Sequence, residues 1–452
     1  MKNTKIDCRS EQYLHKLKQL PALYDAALPI PAGTQDDTVS TVNWLVLGPS
    51  LHAYVLWILS SAIRDGVERL YFLSRDGFLP YRIAQAVCER LHLNIDCRYF
   101  YCSRAALRIP MYHLDMEDTL EQICRGGLNV TPCRILLRAG LSELEAKRVF
   151  PSLELPYAYN EPIPYAEIPS VRKILSHNEP FLQLMCRISE SRFPALKGYF
   201  QQEGILDRGH FAVVDSGWTG TMQRSIRKIC EACGGNSILT GYYFGLFYLP
   251  KDCNPADYRS FYFGPYHGLL RKVFFNNNLF EVVYSAPHGT VLEYESTIGG
   301  FSPSLCTPDL RIKSYIDSFT RQLDIYTDKL ITQQTAESLL SISEVQLRRT
   351  AQRLLCRLMW APTRTEAETF GTLPFSDDLQ DAGLQDLALK LDHSALRKNH
   401  ILNRLLVMLG LRKGILPQSA WYEGSAVRSA EHSLWHRISF SIYKLLLYLR
   451  RR

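Results

Sequence analysis

The chain has 452 residues, which is too long for one ordinary core, and we therefore expect two or three folding units. A content of 46% hydrophobic and 21% charged residues excludes a disordered or fibrous chain. The formal net charge of +7 favours anionic partners without choosing among phosphates, nucleic acid and anionic lipid.

The cysteines and the first residues of the chain indicate the cellular compartment of the protein. Twelve cysteines lie scattered without a paired framework, and the polar start of the chain lacks a charged segment followed by an apolar one. These features predict a cytoplasmic protein. Cys230 and Cys233 form a C-x-x-C pair, but zinc needs four ligands and no second pair follows, so we assign no metal to the thiols.

The first two regions are an N-terminal extension, residues 1–40, and the first half of an α/β domain, residues 41–116. Residues 44–63 are apolar enough for a membrane span, but Gly48-Pro49 and His52 interrupt them, and we expect a buried helix. Strands are predicted at residues 70–73 and 97–102, with a helix at residues 78–91 between them.

A helical insertion is predicted at residues 117–205, with Ser142 and Glu145 as a capping box. The second half of the α/β domain, residues 206–300, contains predicted strands at 211–214 and 238–249 and a helix at 222–230; loop and strand are expected at 274–294. Residues 301–452 are expected to be helical. The alternation of strands and helices predicts an α/β fold with a mainly parallel, Rossmann-like sheet.

Two predicted strands run into turns that suit phosphate. After residues 211–214 come Asp215, Ser216, Gly217, Trp218, Thr219, Gly220 and Thr221. Unpartnered N–H groups at a helix start bind anions, Gly220 permits close backbone approach, and Asp215 can reach sugar hydroxyls or a metal. The alternative is structural: an N-cap aspartate, turn glycines and a packed tryptophan.

The earlier turn, after residues 70–73, consists of Ser74, Arg75, Asp76 and Gly77. Arg75 can pair with a diphosphate, and Asp76 can hold Mg²⁺. A plain turn with a surface ion pair is the alternative.

The pattern resembles type I phosphoribosyltransferases, in which acids at a strand end are followed by Thr-Gly. Here Asp215-x-x-x-Thr219-Gly220 matches, and the turn at residues 73–77 looks like the family's diphosphate loop. One departure is that Val214 stands where the family usually has a first acid.

More closely, the combination of Gly48-Pro49 with residues 71–77, Ser103-Arg104 and 215–221 looks like phosphoribosyltransferases encoded in bacterial polysaccharide clusters, often beside haloacid dehalogenase-type phosphatases. Members of that group place 5-phosphoribofuranose on a growing glycan, after which a phosphatase removes the phosphate. The resemblance covers about residues 40–300, with weaker support around residues 421–425.

The resemblance implies phosphoribosyl diphosphate as donor, a glycan acceptor that a lipid carries in some cases, Mg²⁺ as cofactor and a companion phosphatase. Asp76 and Asp215 would hold the metal. Ser74, Arg75, Gly77, Arg104 and Arg108 are the candidates for the diphosphate, and residues 215–221 for the ribose and its 5-phosphate. Asp76, Glu281 and His288 are the candidate bases for the acceptor hydroxyl, with a hydrogen-bonded turn histidine as the alternative for His288.

Two other functions fit parts of the pattern. Residues 74–79 stand where haloacid dehalogenase phosphatases carry Asp-x-Asp-Gly-Thr-Leu, but Ser74 replaces their nucleophile. A non-catalytic scaffold that binds phosphoribosyl diphosphate is the other.

The tail, residues 434–452, places Trp435, Ile438, Ile442, Leu445 and Leu449 at helical spacing beside basic residues. This pattern is typical of a helix lying on the inner face of the cytoplasmic membrane, and equally of an amphipathic helix docked on the protein. Nucleic-acid binding is not expected, because the basic residues do not form an aromatic-lined stripe.

Overall fold

Five strands form a single sheet in a computed structural model of the protein. The described residues are 8–34, 37–125, 130–235, 237–251, 253–375, 384–408 and 419–450. The strands are β1 (Arg69–Leu73), β2 (Asp96–Phe100), β3 (Gly209–Trp218), β4 (Ser237–Leu246) and β5 (Tyr258–Phe263). They are all parallel and lie in the order β2-β1-β3-β4-β5. The predicted α/β class is therefore confirmed, and β5 is a strand that the sequence analysis missed.

Helices cover both faces of the sheet, which explains why β1 is apolar and buried from residue 70 to residue 73. On one face, Leu70 and Phe72 join the largest core with the helices Gly48–Asp65 and Phe78–Leu91. On the other face, Tyr71 and Leu73 join a second core. That second core is completed by the helices Glu179–Gln202 and Thr221–Ala232.

The predicted buried helix lies against the sheet. Among the described residues, the helical stretch Thr38–Asp65 is long and apolar enough to cross a membrane, yet 89% of its most apolar window is buried inside the fold. It comprises the α-helix Thr38–Val42, a π-helical segment Asn43–Leu47 and the α-helix Gly48–Asp65. His52 lies in its core, with hydrogen bonds to Gly48 O and Thr327 Oγ1. We interpret this stretch as a core helix.

The insertion between β2 and β3 is helical and has a core of its own. Its α-helices are Arg104–Arg108, Met116–Ile123, Pro132–Arg138, Glu143–Val149, Ile168–Ser176 and Glu179–Gln202, with 3₁₀ turns at Ile109–Leu114, Phe150–Leu153 and Tyr165–Glu167. The predicted capping box is present: the Ser142 side chain accepts from Glu145 N, and the Glu145 carboxylate accepts from Ser142 N.

The prediction of loop and strand at residues 274–294 was partly wrong. Glu281 lies on the helix Asn277–Val283, which begins where the Asn276 side chain accepts a hydrogen bond from Leu279 N. Strand β6 (Val291–Thr297) follows and pairs with β7 (Gly300–Leu305) in an antiparallel hairpin. Three asparagines at residues 276–278 act as a cap and first turn, and the prediction overlooked that signal.

The N-terminal helices pack on the same core as the sheet. Arg9 and Tyr13, in the first helix, both bond the buried carboxylate of Glu366. The N-terminal helices are Cys8–Leu17 and Pro21–Ala27. The remaining elements are Pro255–Asp257, Leu269–Phe274, Leu310–Gln333, Ala336–Leu340, Glu344–Met359, Arg364–Gly371, β8 (Pro374–Phe375), β9 (Gln385–Asp386), His393–Lys398, Ile401–Met408, Tyr422–Ser429 and Ser433–Arg450. Arg451 and Arg452, which end the predicted tail helix, lie outside the described residues.

Candidate functional site

The two predicted phosphate-binding turns meet at the carboxyl edge of the sheet. Strands β1 and β3 are neighbours, so the turns that follow them lie side by side. The Ser216 hydroxyl donates a hydrogen bond to Asp76 Oδ2, which joins one turn to the other. Ligands of parallel α/β sheets bind at this edge, so the prediction that the turns act together has a geometric basis.

The turn after β1 requires a glycine. A Cβ on Gly77 would lie 2.5 Å from Leu73 O, because the chain turns back sharply on the strand end. Gly77 N donates to the same carbonyl at 2.7 Å. The helix Phe78–Leu91 begins directly after this turn without a side-chain cap, and Phe78 N donates to Arg75 O at 3.0 Å. The Ser74–Arg75 peptide bond in this turn is cis.

Ser74 ties this turn to the end of β2. Its hydroxyl donates to Cys102 O at 2.8 Å and accepts from Cys102 N at 3.0 Å. The hydroxyl hydrogen is thus committed to the backbone. We assign Ser74 the positioning of the turn, where the sequence analysis expected it to hold diphosphate directly.

The prediction of a turn at residues 215–221 was partly wrong, because β3 continues to Trp218 and only Thr219 and Gly220 separate it from the next helix. The end of β3 and this short turn contain features that favour ligand approach. Gly217 and Trp218 both have positive φ, +108° and +63°, and a Cβ on Gly217 would lie 2.5 Å from Gly245 O. Gly220, also at positive φ, precedes the helix Thr221–Ala232, which has no side-chain cap. The hydroxyls of Thr219 and Thr221 lie 3.4 Å apart beside the open N–H groups of this helix. Hydroxyls and unpartnered N–H groups together suit a phosphate.

Three carboxylates gather at this edge: Asp76, Asp215 and Glu281. Each is only partly exposed. Burial, followed by the charge of Asp76, raises the pKa of Asp215 to about 8 and that of Glu281 to about 7. Burial also raises the pKa of Asp76, against the opposing effects of the Ser216 hydrogen bond and two arginines. Like charges held together in this way are costly without a bound cation, and such perturbed groups are concentrated at functional sites.

Glu281 is held in place by Trp218, whose indole N–H donates to Glu281 Oε1 at 2.5 Å. The indole itself is 7% exposed and packs against the rings of Phe263, Phe275 and Phe280. The aromatic packing fixes the tryptophan, and the tryptophan fixes the carboxylate. Trp218 therefore positions Glu281, a role that its place in a predicted ribose-binding turn did not reveal.

The predicted arginines divide into two groups. Arg104 follows β2, and its charge lowers the pKa of all three carboxylates; Arg75 does the same for Asp76 and Glu281. These two arginines therefore adjoin the acidic cluster. Arg108 lies on the same short helix as Arg104; burial lowers its pKa to about 10, and the nearby charges are Arg104, Arg125 and Asp118.

His288 is a neutral, hydrogen-bonded histidine. Its Nδ1 lies 2.8 Å from Gly289 O, and because a carbonyl only accepts, Nδ1 carries the proton. Nε2 then accepts from the Tyr99 hydroxyl at 2.6 Å, and burial lowers the pKa of the ring. Both nitrogens are engaged, which supports the alternative of a structural turn histidine.

Aromatic side chains beside His288 form a wall that the sequence analysis did not assign to the site. The ring centroids of Tyr99 and Tyr101 lie 5.7 Å and 5.1 Å from that of His288, and the ring of Phe78 lies 5.6 Å from that of Tyr99. The signal was the aromatic run Tyr99-Phe100-Tyr101 at the end of β2, in which residues two apart share a face of an extended chain.

Mg²⁺ fits two of the carboxylates. Among the described residues, no group of three or more His, Cys, Asp or Glu side chains is arranged to hold a metal ion. Mg²⁺, however, commonly takes one or two carboxylates and completes its shell with water and substrate phosphates. Asp76 and Asp215, partly exposed and mutually repelling, provide that number of ligands.

Sequence comparison adds no identification to this geometry. No model of a known protein family matches the chain, and no curated protein matches it significantly.

Proposed function

We propose that the chain transfers 5-phosphoribose from phosphoribosyl diphosphate to a sugar hydroxyl of a glycan and releases diphosphate. The observation that carries this proposal is the contact between Asp76 and Ser216, which joins two anion-binding turns into one site. A donor with a phosphate at one end and a diphosphate at the other needs two such turns.

The two ends of the donor have different partners in this proposal. The turn formed by Thr219, Gly220 and Thr221 binds the 5-phosphate through hydroxyls and backbone N–H groups. Arg75 and Arg104 bind the diphosphate, whose charge grows as it leaves C1. The acidic cluster beside the two arginines then favours a donor that arrives with a cation.

Asp76 and Asp215 would hold Mg²⁺, which neutralises diphosphate charge when bound. Ser216 orients the Asp76 carboxylate through its hydrogen bond. This arrangement keeps the carboxylate at the strand end, where the two turns meet.

Glu281 is the base that we propose for the acceptor. Its pKa of about 7, raised mainly by burial, suits proton transfer near neutral pH. The acceptor oxygen forms a bond to C1, the bond from C1 to diphosphate breaks, and the hydroxyl proton passes to Glu281. In-line displacement from an α-diphosphate gives a β-ribofuranoside, whose phosphate a separate phosphatase would then remove.

Phosphatase activity of this chain is the weaker alternative. The position of the phosphatase nucleophile is occupied by Ser74, whose hydroxyl is bonded to Cys102. A serine cannot form the aspartyl phosphate on which that chemistry depends.

Purified protein with phosphoribosyl diphosphate, MgCl₂ and a panel of glycan acceptors tests the proposal. We expect mass spectrometry to show acceptors that have gained one phosphoribosyl group, with an equal amount of diphosphate released. Calorimetric binding of the donor without any product would indicate a scaffold. Release of inorganic phosphate from sugar phosphates would indicate a phosphatase. Either result would overturn the proposed function.

A further inference from the structure

The tail helix Ser433–Arg450 packs on the protein with its polar side inward. Its buried residues are His436, Ser439, Ser441 and Lys444. An amphipathic helix of a soluble protein normally buries its apolar stripe. Here the buried positions are polar, and the rings of Phe440 and Tyr448 pack beside them on Tyr422 and Phe247.

Specific hydrogen bonds hold this polar side. Lys444 Nζ lies 3.0 Å from Phe275 O and 3.2 Å from the buried carboxylate of Glu423. Trp360 Nε1 donates to Ser441 Oγ at 2.9 Å, and Ile401 N donates to Ser439 Oγ at 2.9 Å. The orientation of the helix is therefore fixed by several independent polar contacts.

Large apolar side chains point outward as a consequence. They are Leu434, Trp435, Ile442, Leu446 and Leu449. The spacing of residues 435, 442, 446 and 449 places them on one face of the helix. Trp435 is 64% exposed, and the adjoining helix Ile401–Met408 adds Leu402 at 67%. Large apolar side chains grouped on the exposed face of a helix are typical of an interaction site.

The charged residues of the tail indicate what binds its exposed apolar face. Residues 433–452 contain no Asp or Glu, and they end in Arg450, Arg451 and Arg452. The helix carries Trp435 near one end of its apolar face and Arg450 at the other end, which suits the interface of an anionic bilayer, where the ring lies at headgroup level and an arginine pairs with lipid phosphates.

We propose that this surface, formed by the exposed face of the tail helix together with Leu402, binds an anionic membrane. The polar contacts keep the helix on the protein, and the apolar face enters the bilayer interface. The proposal does not depend on the reaction, since binding requires no donor or acceptor.

Vesicle flotation with the full chain tests it. Vesicles of phosphatidylglycerol and phosphatidylethanolamine are compared with vesicles of phosphatidylcholine alone. We expect the protein to float with the anionic vesicles, and the variant W435Q/L446Q/L449Q to bind about tenfold more weakly or worse.

The matched control is L144Q/I298Q/L310Q, which removes three exposed apolar side chains elsewhere on the surface. It should bind like the unaltered protein, and both variants should keep its melting temperature. Equal loss of binding in both variants, or no flotation of the unaltered protein, would overturn the proposal. So would a dimer in light scattering that only W435Q/L446Q/L449Q converts to a monomer, since a second copy would then occupy the surface.

Discussion

The two edges of the parallel sheet differ in how their charged residues are arranged. At the amino edge, Arg69 at the start of β1 pairs with Asp96 at the start of β2 at 2.6 Å and with Asp207 at 3.5 Å, and Arg98 also pairs with Asp96. At the carboxyl edge, Asp76, Asp215 and Glu281 gather, and the pKa of each is raised. The charges of the amino edge form ion pairs with one another, whereas the carboxyl edge holds three carboxylates with raised pKa values beside Arg75 and Arg104.

This difference indicates which edge is built for a ligand. At the amino edge, Arg69 and Arg98 are paired with the carboxylates of Asp96 and Asp207. The carboxyl edge bears an electrostatic cost that a bound cation and an anionic substrate would relieve. Places where a protein departs from its most stable arrangement are expected at functional sites.

Asp76→Asn gives the largest expected effect. We expect diphosphate release to fall about 10³-fold, because the carboxylate proposed for Mg²⁺ is lost, while the melting temperature stays equal or rises. The control is Asp96→Asn at the amino edge, which should keep activity and lose at most about 1 kcal/mol of stability. Equal activity losses in both variants would show that the two edges do not differ in function.

Glu281→Gln should lower kcat about 10²-fold or more. In the unaltered protein, kcat should rise with pH and level off above about 7, because only the ionised carboxylate accepts a proton and its pKa is about 7. The variant should lose this rise. An unchanged pH profile in the variant would remove Glu281 from the role of base.

Gly77→Ala separates the shape of the carboxyl edge from its charges. The added Cβ would lie 2.5 Å from Leu73 O, so the turn must shift, at a cost of about 1–3 kcal/mol. Thermal unfolding should show this loss. Gly299→Ala is the control, since a Cβ there meets nothing within 4 Å; a similar loss in both variants would contradict the tight turn.

Asp215→Asn should change stability in a pH-dependent way. Because the pKa of Asp215 is raised from 3.8 to about 8, the folded metal-free protein binds more protons than the unfolded chain between those values, and stability falls as pH rises. The variant should therefore melt about 2–4 °C higher at pH 8.5 and show little difference at pH 4. The exposed Asp317→Asn should show no such gain, and a gain of equal size there would count against the acidic cluster.

The local elements of the sheet could be predicted with little ambiguity. The apolar runs at residues 70–73 and 211–214, each followed by a glycine-containing turn and a helical pattern, correspond to β1, β3 and the helices after them. Strand β5 was missed because Tyr258–Phe263 lacks a flanking helical pattern that would have indicated a βαβ unit. Glu281 was placed in loop or strand because the capping role of Asn276 went unrecognised.

Part of the site could be predicted because some of its residues belong to these local elements. The residues of the two predicted turns follow strand ends directly in the sequence, and the sequence therefore places them at the carboxyl edge of a parallel sheet. Three hydrogen bonds join residues that are far apart in sequence: Ser74 to Cys102, Trp218 to Glu281, and Tyr99 to His288. No local pattern contains such contacts.

The sequence by itself determined the α/β class, the two turns and their edge of the sheet. These features depend on the spacing of apolar residues and on the conformational preferences of turn residues, and both are local along the chain. The tertiary structure decided that β1 and β3 are neighbours, that Asp76 meets Ser216, and that the tail helix buries its polar side. Those outcomes depend on which distant surfaces pack together, and packing is settled by the whole core.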